Sequence, residues 1–201
     1  MTLTNPITGD TMTVLQKAAQ SPTQTLRLQF VLAPNAAGSP PHIHPRITET
    51  FTVEKGTLAV RLGKDSPRLL TAGESVTIPP GTLHRFWNPT EQYTQIITEV
   101  TPGHGFERFM RSLYGLAIDG KTDRRGMPTS VLIWACLWLW ADFRLPVIPQ
   151  QLQETIFVAL YQYAERQGIV DDLAAYWSER AITVPAENYP PAAKTKLAAG
   201  R

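Results

Sequence analysis

Up to about residue 102, apolar and polar positions alternate with period two. Leu26, Leu28, Phe30 and Leu32 alternate with Arg27, Gln29 and Val31, and Phe51 and Val53 with Thr50 and Thr52. Leu58, Val60 and Leu62 alternate with Thr57, Ala59 and Arg61, and Val76 and Ile78 with Ser75 and Thr77. Side chains two apart on a strand share a face, so each run predicts a half-buried strand. Turn signals separate them, among them Gly38-Ser39-Pro40-Pro41, Lys55-Gly56, Ala72-Gly73-Glu74 and Pro79-Pro80-Gly81. Lys55-Gly56 is expected to send the chain back antiparallel. Short strands between turns suggest a sandwich or small barrel. Beyond residue 102 the period becomes helical. Phe106, Phe109, Met110, Leu113, Leu116 and Ala117 follow i, i+3, i+4, i+7 spacing, and Gly120 is placed to end that helix. Val131 to Ala141 is continuously apolar and predicts a buried helix. Leu152, Ile156, Ala159, Leu160 and Tyr163 form a further stripe ended by Gly168, and a short helix is expected from Asp171 to Glu179. The organisation expected is a β region over 1–102, a helical extension over 103–184 and a partly disordered tail over 185–201, rich in Pro, Ala and Lys.

Composition narrows the picture. The chain has 201 residues, enough for one domain with an attached subdomain and a sizeable core. Lys+Arg 19 against Asp+Glu 17 gives a net charge of +2, which supplies no basic field for nucleic acid. Cys136 is the single cysteine, so neither an internal disulfide nor a cysteine-based metal cluster can form. The 17 prolines suit a turn-rich β fold. Met1 to Pro6 shows neither a basic nor an apolar leader segment, and the longest apolar run, Val131 to Ala141, falls short of the roughly twenty residues a bilayer span needs. A cytoplasmic chain with no transmembrane segment is the expectation.

The histidines carry the chemistry. His42-Ile43-His44 is an H-x-H on a predicted strand, so both imidazoles can reach one point. Pro45 biases His44 toward extended geometry, and Pro41 limits the entry to the segment. Glu49 and Gly56 follow. A second segment runs Gly73, Pro79, Gly81, His84 and Asn88, and its Pro-Pro-Gly corner would deliver His84 to the start of a new strand, with Phe86 on the same inward face. His104, between Gly103 and Gly105 at a helix start, reads as a surface or capping residue. Trp134, Trp138 and Trp140 read as a core helix or a dimer interface, Cys136 as an inert buried thiol, and Lys121 to Gly126 as a solvated connector.

Together the two segments resemble the paired motifs of the cupin superfamily. Positions His42, His44, Glu49, Gly56, Gly73, Pro79, Gly81, His84 and Asn88 fit the family spacing; Gly38 does not, and Ala36 stands in the usual glycine place. The resemblance covers roughly residues 25 to 102. It implies a mainly β fold, a cupin double-stranded β-helix (jelly-roll) barrel followed by the α-helical extension, with a metal in the barrel mouth held by His42, His44, Glu49 and His84. Three imidazoles and a carboxylate suit one divalent transition metal ion (Fe, Mn, Ni, Co, Cu or Zn) better than Ca or Mg, and the ligand list does not choose among them. Glu49 is also the candidate catalytic residue, as a ligand that moves protons or as a free general base beside three histidines. The residues read as facing inward, Phe30, Phe51, Val53, Leu58, Val60, Ile78 and Phe86, would form an apolar substrate pocket for a small, partly apolar or aromatic molecule that binds through oxygen. The resemblance points first to a quercetin-dioxygenase-like oxygenase. A non-catalytic metal or small-molecule binding module, and an O2-independent isomerase or decarboxylase, are the alternatives. It also implies a homodimer, with a strand around Met12 to Leu15 pairing across subunits.

Overall fold

A computed structural model describes residues 1–178 of the chain. Nine strands precede residue 102: β1 (Thr2–Thr4), β2 (Thr11–Gln16), β3 (Leu26–Leu32), β4 (Thr48–Lys55), β5 (Thr57–Leu62), β6 (Arg68–Thr71), β7 (Ser75–Ile78), β8 (His84–Trp87) and β9 (Thr94–Thr101). Four helices follow: α1 (His104–Ile118), α2 (Val131–Trp140), α3 (Gln150–Arg166) and α4 (Ile169–Trp177). The expected tail, 185–201, and the far end of the helix expected at Asp171 to Glu179 lie outside the described residues.

The strands form two antiparallel sheets, one in the order β1-β2-β3-β9-β4-β7 and one in the order β6-β5-β8. This is the expected jelly roll. The alternating residues meet between the sheets: Leu26, Leu28, Phe51, Leu58, Leu70 and Ile96 are each fully buried in one apolar cluster. At roughly 25 cal/mol per Å² of apolar surface removed from water, such side chains each contribute on the order of 1.5–3 kcal/mol, so this inner layer is the main source of fold stability.

Several expectations need correction. The Lys55-Gly56 turn does not make a hairpin: β4 pairs with β9 and β7, whereas β5 pairs with β6 and β8. The chain instead crosses from one sheet to the other there. Gly56 has φ +85°, and a Cβ on it would stand 2.7 Å from the Tyr93 carbonyl oxygen, so the corner suits glycine. Strand β2 lies between β1 and β3, and β1 covers only its first half, Thr11 to Thr13, so of the segment expected to pair across subunits Met12 is already paired on both sides within the chain while Leu15 is exposed. The stripe expected to bury α3 faces outward. Leu152, Ile156 and Tyr163 are 52%, 46% and 53% exposed, and the inner face carries Gln153, Phe157 and Ala164 instead. Apolar residues occupy both sides of α3, so the period alone could not choose; the choice falls to Phe157, stacked on Trp138 with centroids 4.7 Å apart, and to Ala164, small enough for close approach.

The helices continue the fold rather than hang from it. Buried Phe106, Met110 and Tyr114 of α1 join the sheet core, while Leu116, Cys136, Leu137, Ala164 and Leu173 form a second cluster among the four helices. The link between α2 and α3 then runs back to the barrel, where Ile43 and Arg144 pair through both backbone groups at 3.0 and 2.8 Å. No helix of the described residues is long and apolar enough to cross a membrane.

Candidate metal centre

Four side chains from three stretches of backbone converge at one end of the sheets. His42 and His44 lie on an extended segment before β4. That segment is not a regular strand but is held by an isolated bridge, His42 to His84, with both N–H···O bonds at 2.9 Å. Glu49 points inward from β4 and His84 opens β8. Strand alternation explains the first pair: Ile43 pairs outward with Arg144, and the residues on either side of it turn the other way. One potential ligand atom from each of His42, His44, Glu49 and His84 lies within 4.8 Å of the others, and all four residues are buried. A buried cluster of that donor set is able to bind a metal ion.

The hydrogen bonds around the cluster bear on which atoms would hold the ion. Each Nδ1 faces a backbone carbonyl, which can only accept: His42 donates to Pro40 at 2.8 Å, His44 to Asp142 at 3.3 Å and His84 to Thr82 at 2.9 Å. Carbonyl partners on Nδ1 fix the tautomer and leave Nε2 as the lone-pair nitrogen, the usual arrangement behind a metal-ligating histidine. The Nε2 atoms of His42 and His44 then stand 3.1 Å apart, and Nε2 of His84 stands 3.1 Å from Oε2 of Glu49. Lone pair against lone pair at that distance is repulsive unless a cation or proton sits between. Burial foremost, then the neighbouring His84 and His44, push the pKa of His42 well below that of a free imidazole; burial likewise lowers that of His44, although Glu49 pulls it the other way. Neutral imidazoles aimed at one another fit a shared cation.

The helical extension completes the surroundings, through residues that no local motif signals. Phe143 lies flat on His42 (centroids 4.5 Å, planes 3° apart) and edge-on to His44, and Phe106 of α1 also meets His44 edge-on. Asp142 is buried with φ +50°; its carboxylate accepts from the Arg46 backbone N–H at 2.7 Å and from the Arg46 guanidinium at 3.0 and 2.6 Å. Its own carbonyl receives the His44 ring. The strap 142–144 is therefore clamped beside the histidine pair.

The other candidates fall as follows. Phe30, Phe51, Val53, Leu58, Val60 and Ile78 are buried members of the sheet core, and Phe86 packs against it half-buried. Of these, Phe51, Ile78 and Phe86 come nearest the ligands in the backbone: Phe51 is two residues from Glu49, Ile78 is its cross-strand partner, and Phe86 is two residues from His84. His104 begins α1 and is exposed. Asn88 organises a turn, its Nδ2 donating to the carbonyls of Ala33 and Gln92 and its Oδ1 accepting from Thr90. Gly38, outside the expected spacing, has φ +62° and passes so close to Phe86 that an added Cβ would stand 1.9 Å from its carbonyl oxygen.

Residues 28–100 match the cupin domain family (Cupin_2). Among curated proteins, the chain is 30% identical over 106 residues to "Probable oxidoreductase virH" of Hypocrea virens, covering 50% of this chain and 48% of that protein. It is 38% identical over 96 residues to oxalate oxidase 1 of Hordeum vulgare, covering 42% of this chain and 48% of that protein. The chain thus spans about half the length of these relatives. Among solved structures, KdgF from Halomonas sp. aligns with a TM-score of 0.41 at 22% identity, over 47% of this chain and 79% of that one.

Proposed function

Because residues 28–100 are a cupin domain, we propose that the chain is a mononuclear metal enzyme of oxidoreductase type, an oxygenase acting on a small, partly apolar or aromatic molecule through its oxygen atoms. The observation that carries this reading is the convergence of His42, His44, Glu49 and His84, buried and with their ligand atoms within 4.8 Å. Oxidoreductases among the relatives, one named an oxalate oxidase, support the reaction class.

His42, His44 and His84 would hold a divalent transition metal through Nε2, and Glu49 through a carboxylate oxygen. When bound, such an ion acts as a Lewis acid toward substrate oxygen and can take part in redox chemistry with O2. The chain's own residues set the conditions. The carbonyls of Pro40, Asp142 and Thr82 keep each ring turned with Nε2 inward. Glu49 brings the only carboxylate of the cluster and is the group placed to accept a proton from an acidic substrate hydroxyl. Phe143 and Phe106 wall the histidine pair with apolar surface and exclude water from it. Phe51, Ile78 and Phe86, next to the candidate ligands in the sheets, would add apolar surface, which favours an aromatic or alkyl body over a sugar phosphate.

The test is elemental analysis of the purified protein with oxygen-electrode assays on phenolic, diketone and small dicarboxylate substrates. One metal equivalent per chain is expected, with O2 uptake that disappears in His42→Ala and His84→Ala. Saturable ligand binding without turnover would reassign the chain as a binding module. Turnover that proceeds equally without O2 would reassign it as an isomerase or decarboxylase.

A further inference from the structure

The strap that borders the metal centre also frames a cleft on its far side. Ile43 stands between His42 and His44 and faces away from them, and its backbone pairs with Arg144. Ile43, Arg144, Leu145, Val147, Ile148 and Gln153 line a surface cleft of about 460 Å³. Most of that wall is apolar, and Val147 is 82% exposed.

Arg144 is the anomaly. It is only 3% exposed, and a buried guanidinium ordinarily has its N–H groups paired with acceptors. Here NH1 donates to the Phe143 carbonyl at 2.8 Å, while Nε is buried with no acceptor. The carboxylate of Glu154 is 4.0 Å from NH2, at the outer limit of an ion pair, and its side chain is 51% exposed. The nearby Asp142 carboxylate is taken up by Arg46. Gln153 cannot help either, because its amide is spent on the strap: Nε2 donates to the carbonyls of Leu145 and Ile148, and Oε1 accepts from Leu145 N–H.

The N-terminus of α3 opens on the same cleft. Its cap is Pro149, which offers no side-chain acceptor, and its first turn holds no acidic residue. Unpaired N–H groups at a helix start carry a partial positive charge and suit an anion. Arg144, a buried cation whose Nε lacks an acceptor, and an uncapped helix start thus both border one apolar-walled cleft.

We propose that this cleft binds an organic carboxylate with a short apolar tail, its head on Arg144 and the first amides of α3 and its tail against Ile43, Val147 and Ile148. The apolar wall and the single buried cation favour a monoanion with a hydrophobic body over a free phosphate. The site is separate from the metal centre but shares a backbone with it, since Ile43 lies between two of the ligands.

Isothermal titration of the metal-loaded protein tests this, with sodium hexanoate, hexanol and inorganic phosphate as probes. Hexanoate should bind saturably at one per chain, and hexanol and phosphate each at least about tenfold more weakly, since only hexanoate offers both head and tail. Arg144→Gln should weaken hexanoate by about tenfold or more, as expected for loss of a charge-assisted pair. Val147→Trp, made at an exposed position and leaving the arginine in place, should weaken it comparably by filling the cleft. His84→Ala, which dismantles the metal centre, should leave hexanoate affinity within about twofold, because His84 is not among the residues that line the cleft. The proposal is overturned if hexanoate shows no saturable binding, if Val147→Trp leaves its affinity unchanged, if phosphate binds more tightly, or if binding vanishes in His84→Ala, which would put the carboxylate on the metal.

Discussion

Asp142 ties the helical extension to the barrel, and its removal gives a measurable test of that tie. Its carboxylate receives three N–H groups of Arg46, one from the backbone and two from the guanidinium, at 2.7, 3.0 and 2.6 Å. The contributions differ by exposure. The Arg46 side chain is 68% exposed, whereas that of Asp142 is 7% exposed. The guanidinium can therefore return to water, and its pairing contributes about 0.2–1 kcal/mol, as for a surface ion pair. The backbone N–H to a charged acceptor counts for more, about 1.5–3 kcal/mol, because the carboxylate is buried. Asp142→Ala should cost about 2–4 kcal/mol in sum. Asp142→Asn should cost clearly less, because an amide oxygen still accepts from the Arg46 N–H and asparagine tolerates the φ of +50° better than alanine does. With a urea m-value of about 2–3 kcal/mol/M, the alanine variant should unfold roughly 1 M earlier than the parent. The assay is urea unfolding followed by tryptophan fluorescence, with parent, Asp142→Ala, Asp142→Asn and Arg46→Ala compared at equal metal loading. Arg46→Ala keeps its backbone N–H and should fall within about 1 kcal/mol of the parent. An alanine midpoint within about 0.2 M of the parent, or an asparagine variant as weak as the alanine one, would refute this account.

Glu49→Gln keeps the side-chain shape but removes the charge, and competition with a chelator should show metal affinity reduced by at least the roughly 10–100-fold seen for outer-shell changes. Phe51→Ala empties a fully buried position whose ring meets Phe86 at 4.9 Å, and denaturation should show a loss of about 3–5 kcal/mol. Gly38→Ala meets the Phe86 carbonyl and keeps a positive φ; a loss of upward of about 2 kcal/mol is expected in the same assay, with Gly63→Ala, where a Cβ meets nothing within 4 Å, losing less. Burial raises the Cys136 thiol to about 11, so iodoacetamide at neutral pH should label it only after the protein is unfolded; rapid native labelling would contradict its place in the helical core.

How much of this was legible in the sequence follows from the range of each determinant. The three candidate histidines could be read from local chemistry, since H-x-H with a following proline turns two rings to one side and Pro79-Pro80-Gly81 delivers His84 into a strand, whereas Glu49 was legible only through the resemblance to the cupin motif. Strands β3 and β4 were legible because buried positions alternate with more exposed ones along each. The strand β9 was not, for it lies between β3 and β4 and its Ile96, Ile97 and Thr98 are all buried, which erases the alternation. Helix α2 was found by its length, but the buried face of α3 was missed because its orientation is set by Trp138 and by the strap that Gln153 holds, neither of which leaves a periodic trace.

The strap itself was the least legible element, and the reason bears on function. Asp142 reaches Arg46 across 96 residues of sequence and His44 across 98, so nothing near either end announces the contact. Yet one stretch, 142–144, does three separate things at the same place. The Asp142 carbonyl sets the His44 ring, the Phe143 ring lies on His42, and Arg144 turns its backbone to Ile43 between the two histidines. The barrel motif alone therefore specifies which atoms converge, while the extension governs how the histidine pair is covered and held. A change of chemistry within this fold needs no change of ligand; a different residue at 143 would already alter what the two imidazoles face.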